Sequence, residues 1–314
     1  MSSAQAAATA RPPDLAAGLL AGEAWALARA ITRVENNQPG SRELLQAIRG
    51  HTGRAWVIGI TGPPGVGKST LVNGLIGAFR KRSQRVTVLA VDPSSPYSGG
   101  AILGDRIRMT DFAADSGVFV RSLSSRGHLG GLSLVTSQVI DLVDASGREV
   151  ILVETVGAGQ ADVEIAELAG NTIVVSAPGL GDDVQAIKSG ILEIASILVV
   201  NKADHPLATQ TRGYLERMLR LRHNQDSVPL LMTIASENQG IEALADAIRE
   251  QQQSLTPEQR ARIIQRRRRR LVLNQALHLT QTHIAAASDR HIKNLAKLLE
   301  EGALSFDDLQ RPVP

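Results

Sequence analysis

Apolar positions along the chain fall into three regimes. From Asp14 to Asn36, Leu19, Leu20, Trp25, Leu27, Ala28 and Ile31 recur near helical spacing and predict an amphipathic helix. Asn37 to Gly40 reads as a turn, with Ser41 as the N-cap of a second helix ending at Gly50. The pattern then changes to short apolar runs at Trp56 to Thr61, Val86 to Val91, Val118 to Val120, Val150 to Glu154, Asn171 to Ser176, Ile197 to Val200 and Pro229 to Thr233. These runs are nearly continuous rather than alternating, and helix-compatible or turn-rich stretches separate them. Strands covered on both faces have that signature, so an α/β domain with a mostly parallel sheet is predicted. Ligands of such sheets sit at the carboxyl ends of the strands. After Gly240 the pattern is helical, with a long helix from Pro257 to about Ala287 and a shorter one from Asp289 to Glu300.

Composition narrows the function classes. Apolar residues are 43% of the 314, enough for a sizeable core, while aromatics are only 3%, too few for a surface that stacks single-stranded bases. The net charge of +3 gives no reason to expect nucleic acid. Cysteine is absent, which excludes disulfides, thiolate zinc sites and thiol catalysis. No apolar run has membrane-spanning length, so no membrane partner is expected. Residues 1–13 are Ala-rich and polar without a signal-peptide core, and are expected to be a disordered leader. A cytoplasmic address follows, with an organellar one as the alternative.

The first chemistry-bearing motif is Gly62-Pro63-Pro64-Gly65-Val66-Gly67-Lys68-Ser69-Thr70, which matches G-x-x-x-x-G-K-[ST]. It follows an apolar strand and precedes a helix-compatible run, Leu71 to Arg82, the context a phosphate-binding loop requires. Glycines let backbone N–H groups turn inward around phosphates, and the helix N-terminus adds partial positive charge. Lys68 is expected on the β- and γ-phosphates and the Ser69 hydroxyl on Mg²⁺. Asn201-Lys202-Ala203-Asp204 follows a late strand and matches N-K-x-D. A carboxylate at Asp204 can accept from N1 and the exocyclic amine of guanine, whereas adenine presents an acceptor at N1 and is rejected. Ile234, Ala235 and Ser236 come after the next strand and are candidates for backbone contacts to the base edge.

Acidic residues lie between the two motifs. Asp92 and Glu154 end candidate strands, and Asp105 sits in Gly104-Asp105-Arg106. Strand ends facing a nucleotide suit oxygen ligands for Mg²⁺. Glu154 to Gly157 occupies the place of the D-x-x-G element that senses the γ-phosphate, and Gln160 is a candidate for orienting the attacking water. Arg106 and Arg108 are candidates for stabilising transferred charge or for a surface role. The run Arg266 to Arg270 is expected to form a solvated or dimer-facing helix surface rather than a nucleic-acid site. The seven histidines form no metal-ligand cluster, which weighs against the alternative of a nickel-delivering GTPase. A transport-associated kinase is a second alternative, for which no residue constellation is visible.

Taken in order, Val91-Asp-Pro-Ser-Ser-Pro96, Gly99 to Met109, Gly130-Gly131, Glu154-Thr-Val-Gly-Ala-Gly-Gln160 and Asn201-Lys-Ala-Asp204 resemble the MeaB/ArgK family of P-loop GTPases, which includes the methylmalonic aciduria type A protein. The resemblance covers nearly the whole chain, including Ala26 to Asn36. It implies a homodimeric, slow GTPase that serves an adenosylcobalamin-dependent acyl-CoA mutase, gates loading or removal of the mutase's cobalamin, and protects the mutase. The implied cofactors are GTP or GDP and Mg²⁺; the cobalamin belongs to the partner. Lys68, Ser69, Asp92, Asp105 and Glu154 match the family's nucleotide and metal positions, and Pro178 to Lys188 matches a switch loop. The implied organisation is leader 1–13, N-terminal helical extension 14–50, GTPase domain 51–253 and C-terminal helical dimerisation arm 254–314. Val120 to Gly127 lacks an expected proline, and the stretch after Gly131 lacks expected basic residues. A subfamily serving a different mutase, such as one for hydroxyisobutyryl-CoA, is the reading these departures suggest.

Overall fold

The computed structural model describes residues 14–92, 112, 114–124, 134–155, 160–179, 191–220, 228–286 and 297. Three short helices come first, α1 (Leu15–Leu20), α2 (Ala24–Glu35) and α3 (Ser41–Ala47). The following elements are β1 (Trp56–Thr61), α4 (Lys68–Lys81), β2 (Val86–Asp92), β3 (Val118–Ser124), α5 (Leu134–Ala145), β4 (Val150–Thr155) and α6 (Gln160–Leu168). The chain continues through β5 (Asn171–Ser176), α7 (Ile191–Ile194), β6 (Ile197–Val200), α8 (Ala208–Arg220), β7 (Leu230–Met232), α9 (Ile241–Ser254) and α10 (Pro257–Ala286).

The seven strands form one sheet in the order β3-β2-β4-β1-β5-β6-β7, and every described pairing is parallel. All residues of β1, β4, β5 and β6 are buried, which is why their apolar runs are unbroken. Side chains of β1 alternate between two cores. Trp56, Ile58 and Ile60 join Leu71, Leu75 and Ile76 of α4 and Leu244 of α9 on one face. Val57 faces α5, α6 and the N-terminal helices, with Leu27 and Ile31 of α2 in the same cluster. The N-terminal helices are therefore part of the domain's core, and each such fully buried side chain contributes about 1.5–3 kcal/mol of transfer free energy. At Gly59 a Cβ would lie 2.3 Å from the Ile165 side chain, so glycine there lets α6 approach the central strand.

The N-terminal helix departs from expectation. One helix was predicted over Asp14 to Asn36, but the chain breaks between α1 and α2 at Gly22, whose φ of +80° favours glycine. The Arg85 guanidinium donates to the Gly22 carbonyl at 3.0 Å and seals the corner. Ser41 is not an N-cap: Gly40 takes that position, and the Ser41 hydroxyl donates backwards to the carbonyls of Gln38 and Arg33.

The arginine run also differs from expectation. Arg267 is buried and pairs with Asp144 at 3.1 Å and Asp141 at 3.4 Å, both on α5. Arg270 pairs with Glu164 of α6, and Arg266 donates to the Ala169 carbonyl just beyond α6. Among the described residues, Arg268 and Arg269 show no ion pair or hydrogen bond to the domain and stand exposed, although the charge of Arg268 is felt at Asp141. Helical geometry separates the two sets: at 3.6 residues per turn Arg266, Arg267 and Arg270 fall within one arc of about 100°, and Arg268 and Arg269 fall outside it. Asp144 also accepts the backbone N–H groups of Gly53, Arg54 and Ala55, which fixes the chain where it enters β1. The first compact unit ends at Arg270. In the second, which begins at Leu271, Val272, Leu273 and Leu277 of α10 are exposed. The predicted helix from Asp289 to Glu300 lies outside the described residues apart from Lys297.

Candidate nucleotide site at the carboxyl ends of the strands

Strand β1 delivers the chain into the loop Gly62 to Gly67, and α4 starts at Lys68. Gly62, Gly65 and Gly67 have φ of +142°, +80° and +94°. Two of them are also constrained by neighbours. A Cβ on Gly62 would meet the Val175 carbonyl oxygen of β5 at 2.1 Å, and one on Gly67 would meet Asn201 Nδ2 at 2.4 Å. Val66 is buried and anchors the loop in the core, while Pro64, Gly65 and Thr70 are exposed at its outer rim. Lys68 is only 6% exposed, and its Nζ donates to the carbonyls of Gly62 at 2.7 Å and Pro63 at 2.9 Å. The ammonium thus lies within the curl of the loop.

Behind Lys68, the Ser69 hydroxyl donates to Glu154 Oε1 at 2.7 Å. Glu154 is buried in β4 at the register of Ile60 in β1 and Ala90 in β2, so sheet order brings it against the start of α4. Thr155 Oγ1 donates to Thr61 Oγ1 at 3.0 Å and ties the ends of β4 and β1 together. The hydroxyl and carboxylate oxygens of Ser69 and Glu154 form a hard donor pair that fits Mg²⁺. Asp92 is the last residue of β2, beside β4, which puts its backbone at the same end of the sheet. Gln160 is the first residue of α6. Asp105 and Gly157 lie outside the described residues, as do Arg106, Arg108 and residues 180–188 of the predicted switch loop.

The N-K-x-D segment follows β6, two strands from β1. Asn201 is 3% exposed and spends both ends of its carboxamide internally. Its Nδ2 donates to the Val66 carbonyl at 2.9 Å, and its Oδ1 accepts from Thr233 Oγ1 and the Ala235 N–H, each at 3.0 Å. Lys202, at φ +58°, donates from Nζ to the Gly65 carbonyl at 2.9 Å. Asp204 stands exposed two residues on. The base loop is therefore bonded directly to the phosphate loop, and through Asn201 to the Ile234-Ala235-Ser236 segment, where Ser236 is exposed. The sequence flagged Asn201 as a base contact but did not reveal this tie. The close approach of Gly67 to Asn201 is the local reason a glycine is needed there.

The profile of the family described as "Methylmalonyl Co-A mutase-associated GTPase MeaB" matches residues 27–291. A Pyrococcus abyssi protein whose name carries the word GTPase is 47% identical over 257 residues, covering 80% of this chain and 78% of that one. GTPase ArgK of Escherichia coli is 38% identical, with 75% of this chain and 74% of that one covered. Among solved structures, one described as a LAO/AO transport system kinase matches with a TM-score of 0.73 and 27% identity, covering 93% of both chains.

Proposed function

This chain belongs to the MeaB family of P-loop GTPases and hydrolyses GTP to GDP and phosphate, and on that premise we propose that it acts as a G-protein chaperone of an adenosylcobalamin-dependent acyl-CoA mutase. In this reading GTP turnover gates loading or removal of the mutase's cobalamin and protects the mutase from inactivation. The observation that carries the proposal is the match of a mutase-associated family over residues 27–291, which takes in most of α2 and all of α3 as well as the nucleotide motifs. A mouse relative, 33% identical over 76% of this chain, bears the name methylmalonic aciduria type A homolog, which supports the same partner class.

The chemistry asked of the chain is positioning and charge stabilisation. Lys68 moves its ammonium from the Gly62 and Pro63 carbonyls onto the β- and γ-phosphate oxygens, a short swing because those carbonyls line the same loop. Backbone N–H groups of Gly65 to Thr70 and the N-terminus of α4 hold the remaining phosphate charge. Ser69, Glu154, Asp92 and Asp105 are the oxygen donors assigned to Mg²⁺, which when bound neutralises charge on the β- and γ-phosphates. Gly157 senses the γ-phosphate, and Gln160 orients water for in-line attack. Asp204 accepts two N–H bonds from guanine. Homodimerisation through the C-terminal arm completes the proposal.

Turnover measured alone and with purified acyl-CoA mutases tests this. Partners that complete such sites raise hydrolysis by roughly 10³ to 10⁵. The expected result is a strong rise with one mutase and none in Lys68→Ala. Equal rates with and without every mutase tried would refute the chaperone role.

A further inference from the structure

Helix α2 has an inner and an outer face of different character. Ala26, Leu27, Ala30, Ile31 and Val34 are buried against the core. Trp25, Arg29 and Arg33 follow one another at i, i+4 and i+8, so they stack one turn apart along the opposite side. Trp25 is 41% exposed, whereas the chain's other tryptophan, Trp56, is 6% exposed in the core. Together with Leu15 of α1 and Gln38 of the following turn, this stripe borders an open groove of about 530 Å³ floored by Ala28 and Thr32.

Among the described residues neither Arg29 nor Arg33 forms an ion pair. The nearest carboxylate on the helix, Glu35, is already held by Arg121 of β3, which also donates to Thr32. Residues 1–13, which lead directly into α1, contain no aspartate or glutamate. Two like charges one turn apart on a helix repel mildly, and an exposed indole adjoining them leaves apolar surface in water. Tryptophan and arginine together are the residue types that dominate binding energy at protein interfaces. Two guanidinium groups are too few to track a phosphate backbone, so a protein fits better than a nucleic acid.

We propose that the Trp25–Arg29–Arg33 stripe is a docking site for an acidic helix of the partner mutase, presenting two carboxylates one turn apart and an apolar side chain one turn beyond. The two carboxylates meet Arg29 and Arg33, and the apolar group covers the Trp25 ring. This inference rests on the mutase reading above and adds to it where the partner grips and by what chemistry.

The test titrates methylmalonyl-CoA mutase and hydroxyisobutyryl-CoA mutase in turn into the full chain with a non-hydrolysable GTP analogue and Mg²⁺, and with the one that binds compares wild type with Arg29→Glu/Arg33→Glu. Reversal of rim charges acts on association and its salt dependence. The expected result is affinity weaker by about tenfold or more at low ionic strength. Wild-type affinity should fall with added salt, and Arg29→Lys/Arg33→Lys should retain most of the binding. Intrinsic GTP turnover should be unchanged in the reversed variant, since neither side chain belongs to the nucleotide site. Trp25 emission should shift on binding, because the other tryptophan is buried. If wild type and the reversed variant bind the mutase equally, the docking inference is overturned and the chaperone reading stands. If wild type binds no acyl-CoA mutase, the chaperone reading fails and takes this inference with it. If charge reversal alters only the chain's own oligomeric state in sedimentation, the groove belongs to a second copy and the inference is wrong.

Discussion

Asn201→Ala separates two jobs that the N-K-x-D motif combines. The carboxamide makes three internal hydrogen bonds, to the Val66 carbonyl, Thr233 Oγ1 and the Ala235 N–H, and it is 3% exposed. At about 0.5–1.5 kcal/mol net for each bond, their joint loss is worth roughly 1.5–4.5 kcal/mol. The upper part of that range is favoured because truncation leaves a buried carbonyl and a buried N–H to find other partners. The damage should divide between fold stability and nucleotide affinity. Without the Val66 tie, the phosphate loop and base loop must be ordered by the ligand at the ligand's expense. We expect GDP affinity to fall by about tenfold or more, equivalent to ~1.4 kcal/mol, with the remainder appearing as a lowered unfolding midpoint of several degrees. Calorimetric titration of GDP and thermal unfolding of the free protein measure the two shares. Asn201→Asp is the informative companion. It keeps an acceptor for Thr233 and Ala235 but faces the Val66 carbonyl with an oxygen, so it should lose affinity while losing less stability. If Asn201→Ala bound GDP within twofold of wild type and unfolded at the same temperature, the loop-tie argument would be wrong.

Two further substitutions address the base and the core. Asp204→Asn replaces a double acceptor with a group that can offer only one acceptor to guanine, so the GTP-over-ATP preference should drop by about 10² or more in a competition assay, and an unchanged ratio would dismiss Asp204 as the base reader. Asp141→Asn concerns pH. Burial pushes the Asp141 carboxyl from 3.8 up to about 6, with nearby Arg267 pulling it down and Asp144 pushing it further up. Its folded pKa is therefore above its unfolded value, the native state holds the proton more tightly, and stability falls as pH rises from about 4 to 6. The neutral amide removes that loss. A shift of this size is worth ~3 kcal/mol at most, and with the side chain 23% exposed and Arg267 at 3.4 Å giving up a partner, a gain of about 1–2 kcal/mol at pH 7.5 is expected. The gain should vanish near pH 4, and urea midpoints that differ equally at both pH values would contradict it.

Much of the sheet was legible because strands buried on both faces leave an unbroken apolar record. β1, β5 and β6 begin and end where their runs do. The edge strands were less so. β3 extends to Ser124 through Arg121, whose charge hides the strand until its partner Glu35 on α2 is seen. β7 is shorter than its run, Leu230–Met232. The parallel order itself, with Glu154 brought beside Ser69, is a long-range pairing that no local pattern encodes. At the nucleotide site, residue identities were readable from the two motifs, but the division of labour was not. The inward turn of Asn201 depends on where β7 places Thr233 and Ala235, more than thirty positions away. The arginine run misled for a different reason. The expectation was a solvated or dimer-facing surface, yet the spacing of Arg266, Arg267 and Arg270, next to Ile263 and Ile264, is itself a signal that one side of the helix faces the domain.

The two ends of strand β1 are therefore fixed by different means, and this bears on how the phosphate loop keeps its shape. At the carboxyl end, Asn201 and Lys202 bond the carbonyls of Val66 and Gly65. At the amino end, the Asp144 carboxylate collects the N–H groups of Gly53, Arg54 and Ala55 and is neutralised by Arg267 from α10. Asp144 has no exposed side-chain surface, so its charge would be costly to bury without that arginine and those three donors. Such a pair adds little net stability against an apolar substitute, but losing one member strands the other. The same helix reaches α6 through Arg266 and Arg270, and α6 is the element that begins at Gln160. Three of the five arginines are thus consumed in holding the strand that carries the phosphate loop and the helix beside it. Arg266, Arg268 and Arg269 keep exposed surface, and the members of the run whose partners are seen, Arg266, Arg267 and Arg270, do their work within the GTPase domain.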